Sequence, residues 1–342
     1  MKIGFIGCGG MGTTHYLSLK VLASEMDLEV TAIADSREEF LDKAAVYFPN
    51  AAKYDNGMEL IEKEELDVVH ICLPSYLHVS HAVAAMEKGC HVFVEKPVCL
   101  TSEEASLILE TQKRTGMQVM VGHVVRFMEE YRYLKQVYES RELGELKSII
   151  MQRISGDVVW GFKDWFHNEK RSGSVVLDLH IHDLDFLRYM LGEPDSIDVK
   201  ATSFESGMIN QIIADYRFGN VFAVAEGVWD VSPALKFEAG FRAHFEKGTV
   251  IFNNRKNPKI TVYKADGTEI IPEIDTEPDE NRTEDGIIIS ELGAYYSENK
   301  YFFECLRDGK PVETAPLSEG VKSVELALKE WEAAKAFIEK KR

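Results

Sequence analysis

Apolar residues in the first third of the chain fall in short unbroken runs, and the stretches between them carry helical spacing. Runs at 2–7, 29–34, 67–72, 91–94 and 118–121 have the length and β-branched content of buried strands. Helical periodicity covers 13–22, 37–48, 79–88 and 101–115, the last two stopped by Gly89 and Gly116. Thr101-Ser102-Glu103-Glu104 reads as a capping box. Thr101 is expected to accept from the amide of Glu104, and Glu104 to reach back to the amide of Thr101. With 118–121 taken as the sixth strand, strands alternate with helices, so an α/β domain with a doubly wound parallel sheet is predicted over 1–122.

From Leu146 the pattern changes to long strands in succession at 146–155, 196–204, 208–218, 221–229, 234–245, 248–253 and 259–263, with Gly219-Asn220 as a hairpin turn. These predict a large, mostly antiparallel sheet. One helix, 174–191, interrupts it, and helices near 294–306 and 318–339 return the chain toward the first domain. The second domain is therefore an α+β domain over 123–342. Its strands outnumber the helices that would cover both sheet faces, so a homodimer or homotetramer is expected.

Composition narrows the partners. The chain is 45% hydrophobic and 28% charged over 342 residues, an ordinary globular balance with enough length for two cores. A formal charge of -18 repels phosphate backbones and anionic lipid, which excludes nucleic acid and membrane as expected partners. Much of the acid lies at 273–285, read as a solvated loop. The five cysteines lack C-x-x-C spacing and read as buried thiols of a reducing compartment. The first strand starts at once, with no basic and apolar leader, so a cytoplasmic location is expected.

The chemistry begins after the first strand. Gly7-Cys8-Gly9-Gly10-Met11-Gly12 is G-x-G-x-x-G between a strand and a helix. There the first glycine makes a tight turn, the second admits a pyrophosphate and the third lets helix pack on strand, the Rossmann fingerprint. Asp35 ends the second strand near the spacing of about 20 residues at which a carboxylate meets the ribose hydroxyls. NAD is thus the expected cofactor, while Ser36 and Arg37 are placed to hold a 2′-phosphate and keep NADP open. The 91–94 run ends abruptly in Glu95-Lys96-Pro97, which puts Lys96 at the carboxyl end of a parallel strand, where ligands bind. A cis Lys96–Pro97 bond is expected, turning the lysine over the nicotinamide.

These motifs, with Pro74 at a strand end, His78 four residues on, and Asp178-Leu179-His180-Ile181-His182-Asp183 opening a helix, resemble the Gfo/Idh/MocA family over essentially the whole chain. Members are mostly NAD(P)-dependent dehydrogenases of sugars and cyclitols. The resemblance implies that Lys96 contacts substrate hydroxyl and cofactor, that Asp178 and His182 handle the substrate proton, and that Leu73, Pro74, His78 and Glu95 border the cofactor. The family commonly has glycine where this chain has His180, which places a titratable group beside the site and within reach of substrate.

As i and i+4 neighbours on a helix, Asp178 can orient His182, whose pKa suits proton transfer near neutrality, while Lys96 supplies charge for an alkoxide. Position 180 points away from that face, so no metal is expected from His123, Asp178, His180 and His182. His123 and Arg126 follow the sixth strand, Arg126 facing substrate or cofactor or forming a structural ion pair. Trp165 and Phe166 form a sugar-ring wall or part of the core. Tyr295, Tyr296 and Glu298 head a helix expected to return to the cleft. A small-molecule dehydrogenase of a secondary hydroxyl is the leading reading. Beside it stand a non-catalytic cofactor sensor, which would not require Lys96, Asp178 and His182 together, and a reductase of an imine or unsaturated ring.

Overall fold

The computed structural model describes residues 1–159, 161–274 and 292–340, so most of the acidic segment 273–285 lies outside the described residues. The chain divides into two compact units. One holds 1–127 with 292–322, the other 128–274 with 323–340.

The first unit is built on six parallel strands, β1 (Lys2–Ile6), β2 (Glu29–Ala34), β3 (Ala52–Tyr54), β4 (Val68–Ile71), β5 (His91–Glu95) and β6 (Val119–Gly122), in the order β3-β2-β1-β4-β5-β6. The order reverses between β1 and β4, and in such sheets the carboxyl ends of the strands at that point form a ligand crevice. β4 and β6 are buried along their whole length, as strands covered by helices on both faces must be. β3 has no residue assigned by the apolar pattern, because it is only Ala-Lys-Tyr and buries none of them.

Helices α1 (Gly10–Glu25), α2 (Glu38–Ala45), α3 (Gly57–Lys63), α4 (His78–Glu87) and α5 (Ser102–Thr115) make the crossovers. α1 starts inside the glycine loop, three residues before the predicted start. At α5 Thr101 Oγ1 accepts from the Glu104 amide at 3.2 Å as expected, but the Glu104 carboxylate accepts from the Leu100 amide at 2.8 Å rather than from that of Thr101. The cap thus gathers one more residue of the incoming chain. The Lys96–Pro97 bond is cis.

The second unit contains α6 (Glu129–Ser140), β7 (Leu146–Ser155), α7 (Glu169–Ser172) and α8 (Ile181–Leu191), followed by β8 (Ser196–Ser203), β9 (Ile209–Phe218), β10 (Val221–Trp229), β11 (Glu238–Phe245), β12 (Gly248–Asn253), β13 (Ile260–Lys264) and β14 (Glu269–Ile270). Its sheet runs β14-β13-β12-β11-β7-β10-β9-β8, antiparallel throughout except between β7 and β10. Along β10, Ala223, Ala225, Gly227 and Trp229 are buried while Phe222, Val224, Glu226 and Val228 are not, so one face is covered and the other open.

Two elements differ from the predicted set. α6 had no counterpart, although Tyr131, Leu134 and Val137 are buried at helical spacing. The helix expected at 174–191 is broken at its start: Ser174 has φ 61°, and Val176–His180 forms a π turn before α8. Finally α9 (Ala294–Arg307) packs on α1 in the first unit, and α10 (Leu317–Glu339) begins there and continues in the second. The five cysteines are free thiols. Among the described residues no helix is long and apolar enough to cross a membrane.

Candidate active site

The glycine turn of the first unit is closed by backbone touching backbone. Gly7 has φ 94°, and a Cβ on it would lie 2.3 Å from the Cys72 carbonyl oxygen. A Cβ on Gly12 would lie 1.9 Å from the Gly7 carbonyl oxygen. Only glycine fits either position. Gly9 precedes α1 without any side-chain cap, and the Thr13 amide is the one that returns to the Gly9 carbonyl, at 2.8 Å. The amides of Gly10, Met11 and Gly12 therefore face the helix N-terminus, where the helix dipole favours an anion.

Asp35, only 7% exposed, stands beside this turn. Its Oδ2 accepts from the Cys8 amide at 2.9 Å, and its Oδ1 accepts from the Arg37 amide at 3.0 Å and from Arg37 Nε at 3.1 Å. The Arg37 guanidinium lies 3.9 Å over the Phe40 ring, and its Nη2 would be 2.8 Å from a Cβ on Gly9. The carboxylate is thus fixed by backbone on one side and by a cation on the other. Ser36 is exposed next to it. Burial, with Asp35 adding to it, pushes the Cys8 thiol up to about 12, so no thiolate competes there. These residues fit a dinucleotide: an open helix N-terminus for the pyrophosphate and a placed carboxylate for the ribose.

Past β4 and β5, two residues expected at the cofactor are engaged by the protein itself. His78 is buried. Its Nδ1 lies 2.8 Å from the Pro97 carbonyl oxygen and its Nε2 2.7 Å from that of Leu73, so the ring ties the turn at Leu73 and Pro74 to the segment that carries Lys96. Burial lowers its pKa, against the pull of the two carbonyls. Glu95 is likewise turned inward. Its Oε1 meets His15 Nε2 at 2.7 Å and its Oε2 accepts from the Lys96 amide at 3.1 Å. Lys96 itself is half-buried at the strand end.

Behind Glu95 lies a buried polar cluster that the local sequence patterns did not reveal. Asn299 of α9 donates from Nδ2 to His15 Nδ1 at 3.0 Å, and its Oδ1 meets His70 Nε2 at 2.8 Å. Glu298 is fully buried and, among the described residues, neither of its oxygens has a hydrogen-bond partner. Burial and the nearby Glu95 hold its carboxyl well above the usual range. His15, Glu95 and Glu298 bring ligand atoms within 4.8 Å of one another, with His15 hydrogen-bonded to Glu95. Tyr295 sets its ring edge-on to His15, and Tyr296 donates to Glu25 at 2.5 Å. Of the three α9 residues expected at a cleft, Tyr295 and Tyr296 fasten α9 to α1 and Glu298 is buried.

His123 and Arg126 are also interior, at 1% and 3% exposure, and Arg126 donates to the Thr314 carbonyl. Neither offers a surface to a substrate.

In the second unit, Asp178 and His182 are the only residues from 172 through 188 that are not buried. The structure therefore turns this pair outward from an otherwise closed segment. His180, expected beside substrate, is wholly buried. Its Nε2 lies 3.0 Å from Glu330 Oε2 and 3.1 Å from the Tyr216 hydroxyl. On the other side of His182, Asp183 accepts from Arg153 Nη2 at 2.7 Å, and the same nitrogen meets the Tyr131 hydroxyl at 3.0 Å. Trp165 stacks on Phe166 at 3.9 Å. Phe166 is core, edge-on to Trp229, whereas Trp165 keeps partial exposure. His167, with no spacing signal, bridges Asp157 at 2.7 Å and Asp164. Burial lowers its pKa, but the two carboxylates outweigh it and the net shift is upward.

A doubly wound parallel sheet with a glycine turn and a carboxylate at the end of its second strand is the architecture of a dinucleotide-binding domain. The chain belongs to the Gfo/Idh/MocA family: residues 1–123 match its "Oxidoreductase family, NAD-binding Rossmann fold" model and residues 131–268 its C-terminal domain. It is 28% identical over 358 aligned positions to a myo-inositol 2-dehydrogenase of Thermotoga maritima, covering 100% of this chain and 97% of that one. It is 29% identical over 205 residues to a D-glucoside 3-dehydrogenase of Escherichia coli, a match to 60% of this chain and 58% of that relative, under two thirds of its length. Levoglucosan dehydrogenase in complex with NADH and levoglucosan shares the fold, with a TM-score of 0.82 at 20% identity over 99% of this chain and 98% of that one.

Two outcomes follow. Because the folded pKa of Glu298 is raised, its contribution to stability falls as pH climbs above the unfolded carboxyl range of about 4.3. Glu298→Gln, which has no proton to lose, should raise the melting temperature, and by more at pH 8 than at pH 6. A lower melting temperature at both would mean an ionised, partnered carboxylate. Asp35→Ala should weaken NAD⁺ binding roughly 10-fold and, by releasing Arg37, strengthen NADP⁺ binding. Titrating both dinucleotides by tryptophan fluorescence checks this, and an unchanged preference rejects the assignment.

Proposed function

We propose that this protein is an NAD-dependent dehydrogenase that oxidises a secondary hydroxyl of a sugar or cyclitol. The observation that carries the reading is the Asp178–His182 pair, the only part of the 172–188 segment that is not buried. Relatives named for inositol and glucoside oxidation support the substrate class.

NAD, when bound, supplies the hydride acceptor. His182 takes the hydroxyl proton, Asp178 orients the imidazole and stabilises its charged form, and Lys96 favours the alkoxide that develops. Amides at the start of α1 hold the pyrophosphate, and Asp35 holds the ribose. A sensor without catalysis would need neither a base nor an alkoxide stabiliser, so the presence of all three residues favours the enzyme. The open face of the second sheet, with Phe222 at 55% exposure beside Val224 and Val228, favours a homodimer or homotetramer joined there.

A panel of inositols, hexoses and their oxidised derivatives, scored by reduced-cofactor absorbance, should contain a substrate. On it, His182→Ala should lower turnover roughly 10²-fold to 10⁴-fold with cofactor affinity nearly intact, and Lys96→Ala should also lower it, the double variant falling short of the product of the two. The wild-type rate should rise with pH through the histidine range, and that limb should vanish in His182→Ala; retention of both limb and turnover removes His182 as the base. Light scattering at micromolar concentration should report an oligomer, and a monomer would dismiss the sheet-face interface.

A further inference from the structure

We propose that the buried His180–Glu330 pair, closed by Tyr216, is the positioning element that sets the π turn from which Asp178 and His182 project. The proposal rests on the reading of His182 as the base. The turn is a π turn by its bonding: the amide of Ile181 reaches back to the carbonyl of Val176, five residues earlier. Such a turn changes which way the flanking side chains face, and it persists only where the surroundings favour it over a regular helix.

Three contacts supply that preference. His180, the last residue of the turn, is buried where Asp178 and His182 are not, and its Nε2 meets Glu330 Oε2 at 3.0 Å and the Tyr216 hydroxyl at 3.1 Å. Glu330 belongs to α10 and Tyr216 to β9, so one imidazole ties the turn to a helix and to the sheet. The backbone also approaches β10 so closely that a Cβ on Gly227 would lie 2.7 Å from His180 Cβ. Burial, with Glu330 adding to it, holds the Tyr216 hydroxyl well above its ordinary range, so it stays a neutral donor to this group. One residue beyond His182, Asp183 is held by Arg153, and Arg153 by Tyr131. His182 thus sits between two anchored neighbours, which leaves its imidazole little freedom relative to Asp178.

A glycine at position 180 has no side chain with which to make the first anchor. In this chain the angle between Asp178 and His182 consequently depends on Glu330, a residue 148 positions beyond His182 in the sequence. A base displaced by an ångström loses rate steeply, while dinucleotide binding depends on the other unit.

The test compares wild type, the double variant His180→Gly/Glu330→Leu, and Glu330→Gln, which keeps an acceptor toward His180. The His182 imidazole is titrated by NMR in each, its resonance assigned by its absence in His182→Gln. NAD⁺ affinity, melting temperature and, on any productive polyol, kcat and KM against pH are measured alongside. The double variant should keep NAD⁺ affinity within about 2-fold, move the His182 titration by half a pH unit or more, and lower kcat roughly 10-fold with KM little changed. Glu330→Gln should restore the wild-type titration. The NMR readout stands even if no polyol is turned over, so failure of the proposed activity and failure of the anchor are told apart. A double variant with the wild-type titration overturns the proposal, and so does one that loses thermal stability and NAD⁺ binding in step with turnover.

Discussion

The first unit depends on a contact between two stretches of backbone. With 1.9 Å separating the place of a Gly12 Cβ from the Gly7 carbonyl oxygen, α1 can start directly at the end of β1 only if position 12 has no side chain. From that closeness the rest follows. The Gly7 amide reaches Ala34 at the end of β2, the Cys8 amide reaches the carboxylate of Asp35, and the free amides of α1 stand beside that acid. One turn thereby places the helix N-terminal amides and a carboxylate together, a pairing that suits a dinucleotide.

Buried ionisable groups then fix what the apolar core leaves loose. In the first unit His15, His70, Glu95 and Asn299 join residues up to 284 positions apart, and so specify where α9 docks on α1. Hydrophobic packing alone is tolerant of small slips, whereas a buried donor without its acceptor costs on the order of 1–3 kcal/mol. The second unit uses the same device differently. There the pairs Arg153–Asp183 and His180–Glu330 hold the residues on either side of His182.

Much of this was legible in the chain. The glycine turn, Asp35, and the strand that ends at Lys96 are local signals whose meaning depends on spacing of a few residues. The two sheets followed from a change in apolar period near Leu146, and several strand bounds agree to the residue. What escaped was of two kinds. Burial of a polar side chain leaves no local mark, so the sequence did not show that His78, Glu95, Arg126 and His180 are interior. Long-range pairing leaves none either, so His15 and Asn299 attracted no attention. The π turn is invisible for a related reason, since the periodicity of 174–191 is that of an ordinary helix and the inserted residue is selected by partners on β9 and α10. His182 and Asp178, by contrast, were identified through a family motif and emerge as the accessible pair of their segment.

The central claim, removal of hydrogen from a carbon bearing a secondary hydroxyl, is tested most directly with a polyol deuterated on its ring carbons. Incubated with the protein and NAD⁺, it should yield reduced cofactor carrying one deuterium on the nicotinamide ring by mass spectrometry, with the matching ketone formed in equal amount. Reduced cofactor without deuterium, or labelled polyol recovered unchanged across the whole class while NAD⁺ binds normally, would contradict the account.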